Sequence, residues 1–164
     1  MSFIDGYDII SVMPFLVACG FGMLVLLLEV FQRESASRSY LAWVAAVGFA
    51  VMAYVAYFLL RLPQQSVFGG MNAFDGFAGV LTIVFAIAGA GTALVAPQWL
   101  SEHRVDRGEF YALLLFSAGG MSLMVSATDF VVFFIALEIM SIAVYALAAY
   151  SRWDRLSSEA GFKY

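Results

Sequence analysis

The chain has 164 residues, of which 63% are hydrophobic and only 12% charged, against roughly half and a quarter in ordinary soluble domains. That balance excludes a water-soluble globular domain. A formal charge of -4 with eight Lys and Arg in all excludes a partner bound through a phosphate backbone, so no nucleic acid is expected.

Charge-free runs over 9–28, 39–60, 76–101 and 110–128 are each about long enough to cross a bilayer as a helix. The first span is predicted over about 9–31, with Pro14 in its first turns, where a missing backbone donor costs least. The residues before it carry Asp5 and Asp8 but no Lys or Arg, unlike a signal peptide, so it reads as a retained transmembrane helix. Cys19 lies inside it; a lone cysteine gives no internal disulfide and no cysteine metal cluster and reads as a small hydrophobe. Glu29 falls at its far end as an interfacial charge that can pair with Arg33 one turn on.

The second span, about 40–60, is bracketed by Tyr40, Trp43, Tyr54 and Tyr57, residue types that favour the headgroup boundary. Arg61 and Pro63 stop it, and 62–75, with Pro63, Gly69, Gly70 and Asn72, reads as an exposed loop. The third span, about 77–97, carries Ala86, Gly89 and Ala93 at helical spacing, a small-residue strip that lets a neighbouring helix approach closely. The polar stretch 101–109 reads as an aqueous loop, with a solvated His103 that cannot make a metal site alone.

The fourth span, about 110–126, places Gly119, Ser122 and Ser126 on one face, which is expected to meet protein. Ala127, Thr128 and Asp129 form a very short turn with Asp129 as N-cap, so the fourth and fifth spans are antiparallel neighbours. The fifth runs over about 130–150. After Arg152, Asp154 and Arg155, a sixth helix begins at about 158, with Ser157 or Ser158 as its cap and Glu159 in its first turn. The fold class that follows is all-α: a polytopic transmembrane bundle of five spans and the start of a sixth, in one membrane domain.

Glu138 stands eight residues into the fifth span, about 12 Å at 1.5 Å per residue, near the middle of a roughly 30 Å hydrocarbon layer. An ionisable group there costs on the order of 3 kcal/mol, which its apolar neighbours offset for the helix as a whole. Desolvation favours the neutral carboxyl, and a carboxyl poised that way takes up and releases protons. Ser141 and Tyr145 share its face, and the residues alone leave two roles open, a proton relay and an interhelical hydrogen bond. Lys163, about six residues into the sixth helix, is either a channel charge or a lysine snorkelling to the headgroups.

The run EFYALLLFSAGGMSLMVSATDFVVFFIALEIMSIAVYALAAYSRWDRLSSEAGFKY, residues 109–164, resembles subunit N of the proton-pumping NADH:quinone oxidoreductase, respiratory complex I, called subunit 2 in mitochondria. Its densest markers are the Ala127–Asp129 turn, the Leu137–Glu138 pair and the SSEAGFKY entry to the sixth helix. Related subunits usually have Trp before this glutamate, so Leu137 favours the N type. The resemblance implies an antiporter-like subunit that moves protons, with Glu138 as a proton relay and Lys163 as a further charge near the channel.

Family members carry more helices than occur here, including the one that holds the lysine partner of Glu138, so the resemblance implies either an N-terminal portion of the subunit or one piece of a split one. The implied partners are other membrane subunits of complex I, lipids and the remainder of the subunit. NAD, FMN, iron-sulfur clusters and quinone are expected in partner subunits, with no cofactor and no metal in this chain. The rivals are a subunit of a multisubunit cation/proton antiporter or membrane-bound hydrogenase, and a non-transporting membrane scaffold.

Alternate loops divide the arginines unequally: the first, third and fifth hold Arg33, Arg38, Arg104, Arg107, Arg152 and Arg155, whereas the opposite side holds only Arg61. The excess of basic residues on cytoplasmic loops puts the N-terminus outside and those three loops in the cytoplasm, for the plasma membrane of a bacterium, or in the matrix, for a mitochondrial inner membrane. A cysteine placed by Glu102→Cys should therefore resist an impermeant thiol reagent added to intact cells; rapid labelling would reverse the orientation.

Overall fold

The computed structural model describes residues 6–32, 38–63, 66–103, 105–151 and 154–163. Seven helices follow in chain order: α1 Gly6–Ser11, α2 Met13–Val30, α3 Ser39–Leu59, α4 Gly76–Glu102, α5 Glu109–Ser126, α6 Phe130–Ala148 and α7 Arg155–Lys163. Five of them, α2 to α6, are long and apolar enough to cross a membrane. The chain is a multi-pass membrane protein built as an all-α bundle.

α5 is the centre of the packing. It lies against α2, α3, α4 and α6, while α3 packs on both α2 and α4. The shared core includes Ala18, Val25, Phe49, Met52, Tyr111 and Leu115. Small residues set the spacing, as the sequence strip implies: Ala86 and Ala93 of α4 are buried, and Gly89 faces the ring of Phe49. On α5, Gly119 faces Ala18, and the Ser122 hydroxyl makes a 3.0 Å hydrogen bond with Thr82 of α4, both side chains buried. A satisfied hydroxyl pair of this kind is the form in which polar atoms are tolerated between spans.

Three boundaries depart from the sequence reading. The first span is preceded by a separate turn of helix, α1, with the break at Val12 and Pro14 just inside α2, where its missing N–H breaks no helical bond. α4 continues through Pro97 to Glu102, so the polar connection to α5 is shorter than 101–109. Leu100 lies beyond the proline and is fully buried, so packing carries the helix past the lost hydrogen bond. α7 starts at Arg155, and Asp154 caps it, accepting from the Leu156 N–H at 3.1 Å. Ser157 instead donates to the Ala148 carbonyl at 2.8 Å, tying α7 back to the end of α6.

The segment expected as an exposed loop is a structured cap. Strands β1, Ser66–Val67, and β2, Asn72–Ala73, pair antiparallel around a turn with Gly69 and Gly70 at positive φ. Val67, Asn72 and Phe74 are buried. The Phe68 N–H donates to Asp8, and the Thr128 hydroxyl and N–H donate to the Gly70 and Met71 carbonyls at 2.6 and 3.0 Å. The cap thus ties the first turn of the chain to the turn between α5 and α6.

At Gly120 the backbones of α5 and α6 approach closely. A Cβ at Gly120 would lie 2.7 Å from the Met140 backbone nitrogen and 3.0 Å from the Ala136 carbonyl oxygen, neither of which yields without moving the helix. Gly120→Val should therefore lower stability by about 1–3 kcal/mol, the usual cost of overpacking. Gly91→Ala adds its methyl where nothing lies within 4 Å and should leave the unfolding midpoint in detergent titrations unchanged or slightly raised. Equal midpoints for the two variants would contradict this packing.

Candidate functional site

α6 owes its placement to two anchors. At its start, Asp129 caps the helix by accepting from the Val131 N–H at 2.8 Å, as its position in the sequence predicts, and the preceding turn hangs on the 66–73 cap. Along its length, Ala136 and Ala143 are buried toward α5, and Met140 meets Gly120. At 3.6 residues per turn, position 138 lies about 160° around the helix from both 136 and 140. Glu138 therefore points away from α5 and is exposed on the outer face of the bundle.

That face is formed by Phe134, Ile135, Ile142 and Tyr145 around the carboxyl, all exposed, with Ser141 half-buried at its edge. The polar stripe of Glu138, Ser141 and Tyr145 exists as a geometric feature. Among the described residues Glu138 has no hydrogen-bond or ion-pair partner. Only 11% of the α6 span is buried within the bundle, against 50% for α5, so the face carrying Glu138 is the least covered long helix of the fold. Among the described residues no cation lies opposite this carboxyl.

Lys163 is not brought to Glu138. It ends α7 with its side chain 74% exposed and ion-paired to Glu159 one turn earlier. α7 packs on the end of α6, where Gly161 lies against Ala149, about 16 Å along the helix axis from Glu138. An exposed pair of this spacing contributes only about 0.3–0.5 kcal/mol.

The loop end opposite the cap holds a charged cluster. Glu29 pairs with Arg38 at 2.8 Å, both side chains largely buried, whereas Arg33, the partner expected from the sequence, lies outside the described residues. Spacing along one helix could not reveal the Arg38 pair, because Glu29 belongs to α2 and Arg38 stands at the start of α3. Asp106, Gly108 and Tyr111 lie beside it. Burial pushes the Asp106 carboxyl up and the Glu29 charge adds to that, while Arg38 pulls the other way. Burial, and then Glu109, likewise raise Tyr150, whose hydroxyl donates to the Arg107 carbonyl at 3.1 Å. His103 stacks on Trp99 with ring centroids 4.3 Å apart and its Nδ1 is 2.9 Å from the Trp99 carbonyl, a local contact. Among the described residues no three His, Cys, Asp or Glu side chains converge as a metal site.

No family model matches the chain. Individual relatives do. The chain is 34% identical over 157 residues to NADH-quinone oxidoreductase subunit N of Myxococcus xanthus, covering 96% of this chain and 30% of the relative. It is 36% identical over 153 residues to the subunit N of Trichlorobacter lovleyi, covering 93% of this chain and 31% of the relative. With subunit N 2 of Koribacter versatilis it shares 34% over 163 residues, 96% of this chain and 33% of the relative. The chain thus spans about a third of the length of the curated relatives it matches.

Because Glu138 touches nothing that holds this bundle together, Glu138→Gln should leave its unfolding midpoint within about 0.5 kcal/mol of the parent, as for other surface substitutions. A larger loss would mean that the carboxyl acts as glue between spans of this chain.

Proposed function

The chain belongs to the NADH-quinone oxidoreductase subunit N family, and from that membership we propose that it forms part of an antiporter-like proton channel in the membrane arm of that enzyme. In this reading electrons pass from NADH to quinone in partner subunits, through FMN and iron-sulfur clusters held there, and this chain handles protons only. The bacterial relatives support a plasma-membrane location, and the arginine distribution supports an N-terminus on the outer side.

One observation carries the reading: a carboxyl at mid-span, on the uncovered face of α6, with no partner among the described residues. A helix pays the insertion cost of an ionisable group without any return in packing, which is the pattern of a group retained for chemistry. Glu138 alternates between a neutral carboxyl and a carboxylate as the charge or hydration opposite it changes. Ser141 and Tyr145 supply hydroxyls along the same face through which a proton can be passed. Lys163, some distance along the bundle, would act through its charge near the loop side and not by contact. The uncovered face is also where further helices of the subunit would supply a cation and close the path.

Glu138→Gln keeps size and hydrogen bonding but cannot ionise. In the assembled complex it should insert and assemble normally, yet reduce NADH-driven proton pumping by at least about tenfold, equivalent to roughly 1.4 kcal/mol on the limiting step. Glu138→Asp retains the carboxyl and should recover part of the pumping. Pumping at the parent rate in Glu138→Gln would overturn the relay role.

A further inference from the structure

At the loop end of the bundle, three elements deliver acidic and phenolic oxygens to one place. Glu29 is the penultimate residue of α2; its Oε1 holds the Arg38 Nε at 2.8 Å, and its Oε2 is buried without a hydrogen-bond partner. Gly108, just before α5, makes room for that second oxygen: a Cβ there would lie 2.8 Å from it. Asp106, two residues earlier, takes a hydrogen bond from the Arg38 backbone and leaves its Oδ1 buried and unpartnered. The Tyr111 side chain, one turn into α5, is fully buried, its hydroxyl unpartnered and close enough to Asp106 to sense its charge.

Among the described residues the charges do not balance: Arg38 is the one cation acting on Asp106, and its guanidinium is already engaged by Glu29. Arg107 and Glu109 act on Tyr150, the neighbouring hydroxyl on the α6 side, which Glu29 also senses. Two ionised carboxylates would leave a net negative charge and bare acceptor oxygens in a desolvated site, an arrangement that costs several kcal/mol per uncompensated ion. One added proton removes the excess charge and turns an acceptor into a donor. Two carboxyls sharing a site behave this way, with one of them titrating well above its ordinary range. A hard metal cation is a poorer fit, since it asks for about six oxygens.

We propose that Asp106 binds a proton beside the Glu29–Arg38 ion pair, forming a proton-binding site distinct from Glu138. It is an acid-base site at the membrane boundary, where a proton from the loop side would first meet the bundle. The folded state binds this proton more tightly than the unfolded chain. Its contribution to stability is thus present at low pH and is lost as pH rises from the unfolded aspartate value near 3.8 through the folded one. This site does not depend on the relay role of Glu138, and the test removes that residue.

The test is infrared titration of the full chain in lipid vesicles, in a Glu138→Gln background so that the mid-span carboxyl contributes nothing. A protonated-carboxyl C=O band should persist after exposed carboxylates have ionised and vanish at higher pH. Asp106→Asn and Glu29→Gln should each abolish it, because either change leaves one carboxylate for one arginine. Carboxyl-labelled ¹³C-aspartate should shift the band in the otherwise unaltered protein, a readout that survives if either variant fails to fold. Absence of the band, or a band indifferent to aspartate labelling, would overturn the proposal.

Discussion

The seat of Gly120 against the backbone of Ala136 and Met140 fixes how far α6 is rotated, and the position of every functional group on that helix follows from it. With no side chain between them, the two helices approach until only one azimuth of α6 avoids a clash. That azimuth spends the small residues Ala136 and Ala143 on the contact and leaves Glu138 on the far side. The 66–73 cap holds the start of α6 through the Thr128 and Asp129 backbone, so the helix is fixed both in rotation and in height.

Polar groups within the spans meet two fates. Thr82 and Ser122 are buried between helices and satisfy each other, which lets α4 and α5 pack closely without an orphaned hydroxyl. Glu138 is unsatisfied among the described residues and faces outward. At the loop end, Glu29, Arg38 and Asp106 form a third arrangement, partly satisfied and short of positive charge.

Much of this was legible in the sequence. Charge-free runs located four of the five spans, the short turn at Asp129 marked the start of the fifth, and the Gly119–Ser122–Ser126 face followed from helical spacing. What failed did so because it depends on contacts between distant residues. Pro97 looks like a helix end, but buried Leu100 and a membrane environment without competing water carry α4 onward. The cap has strands of two residues, too short for any alternation, and is held by bonds reaching 58 and 60 residues along the chain. The Glu29–Arg38 pair joins α2 to the start of α3, so no interval along one helix could indicate it. The depth of Glu138 could be counted from Phe130, but its exposure could not, since that depends on Gly120, eighteen residues away.

The central claim is that the Glu138 carboxyl stands on an apolar outer face of α6, without a polar partner among the described residues. A lipid-soluble carbodiimide reaches carboxyls shielded from water, and mass spectrometry locates the adduct. The account predicts an adduct at Glu138 in native membranes, with the exposed Glu102 and Glu159 unmodified. Glu138 left unmodified, with those two residues reacting, would contradict it.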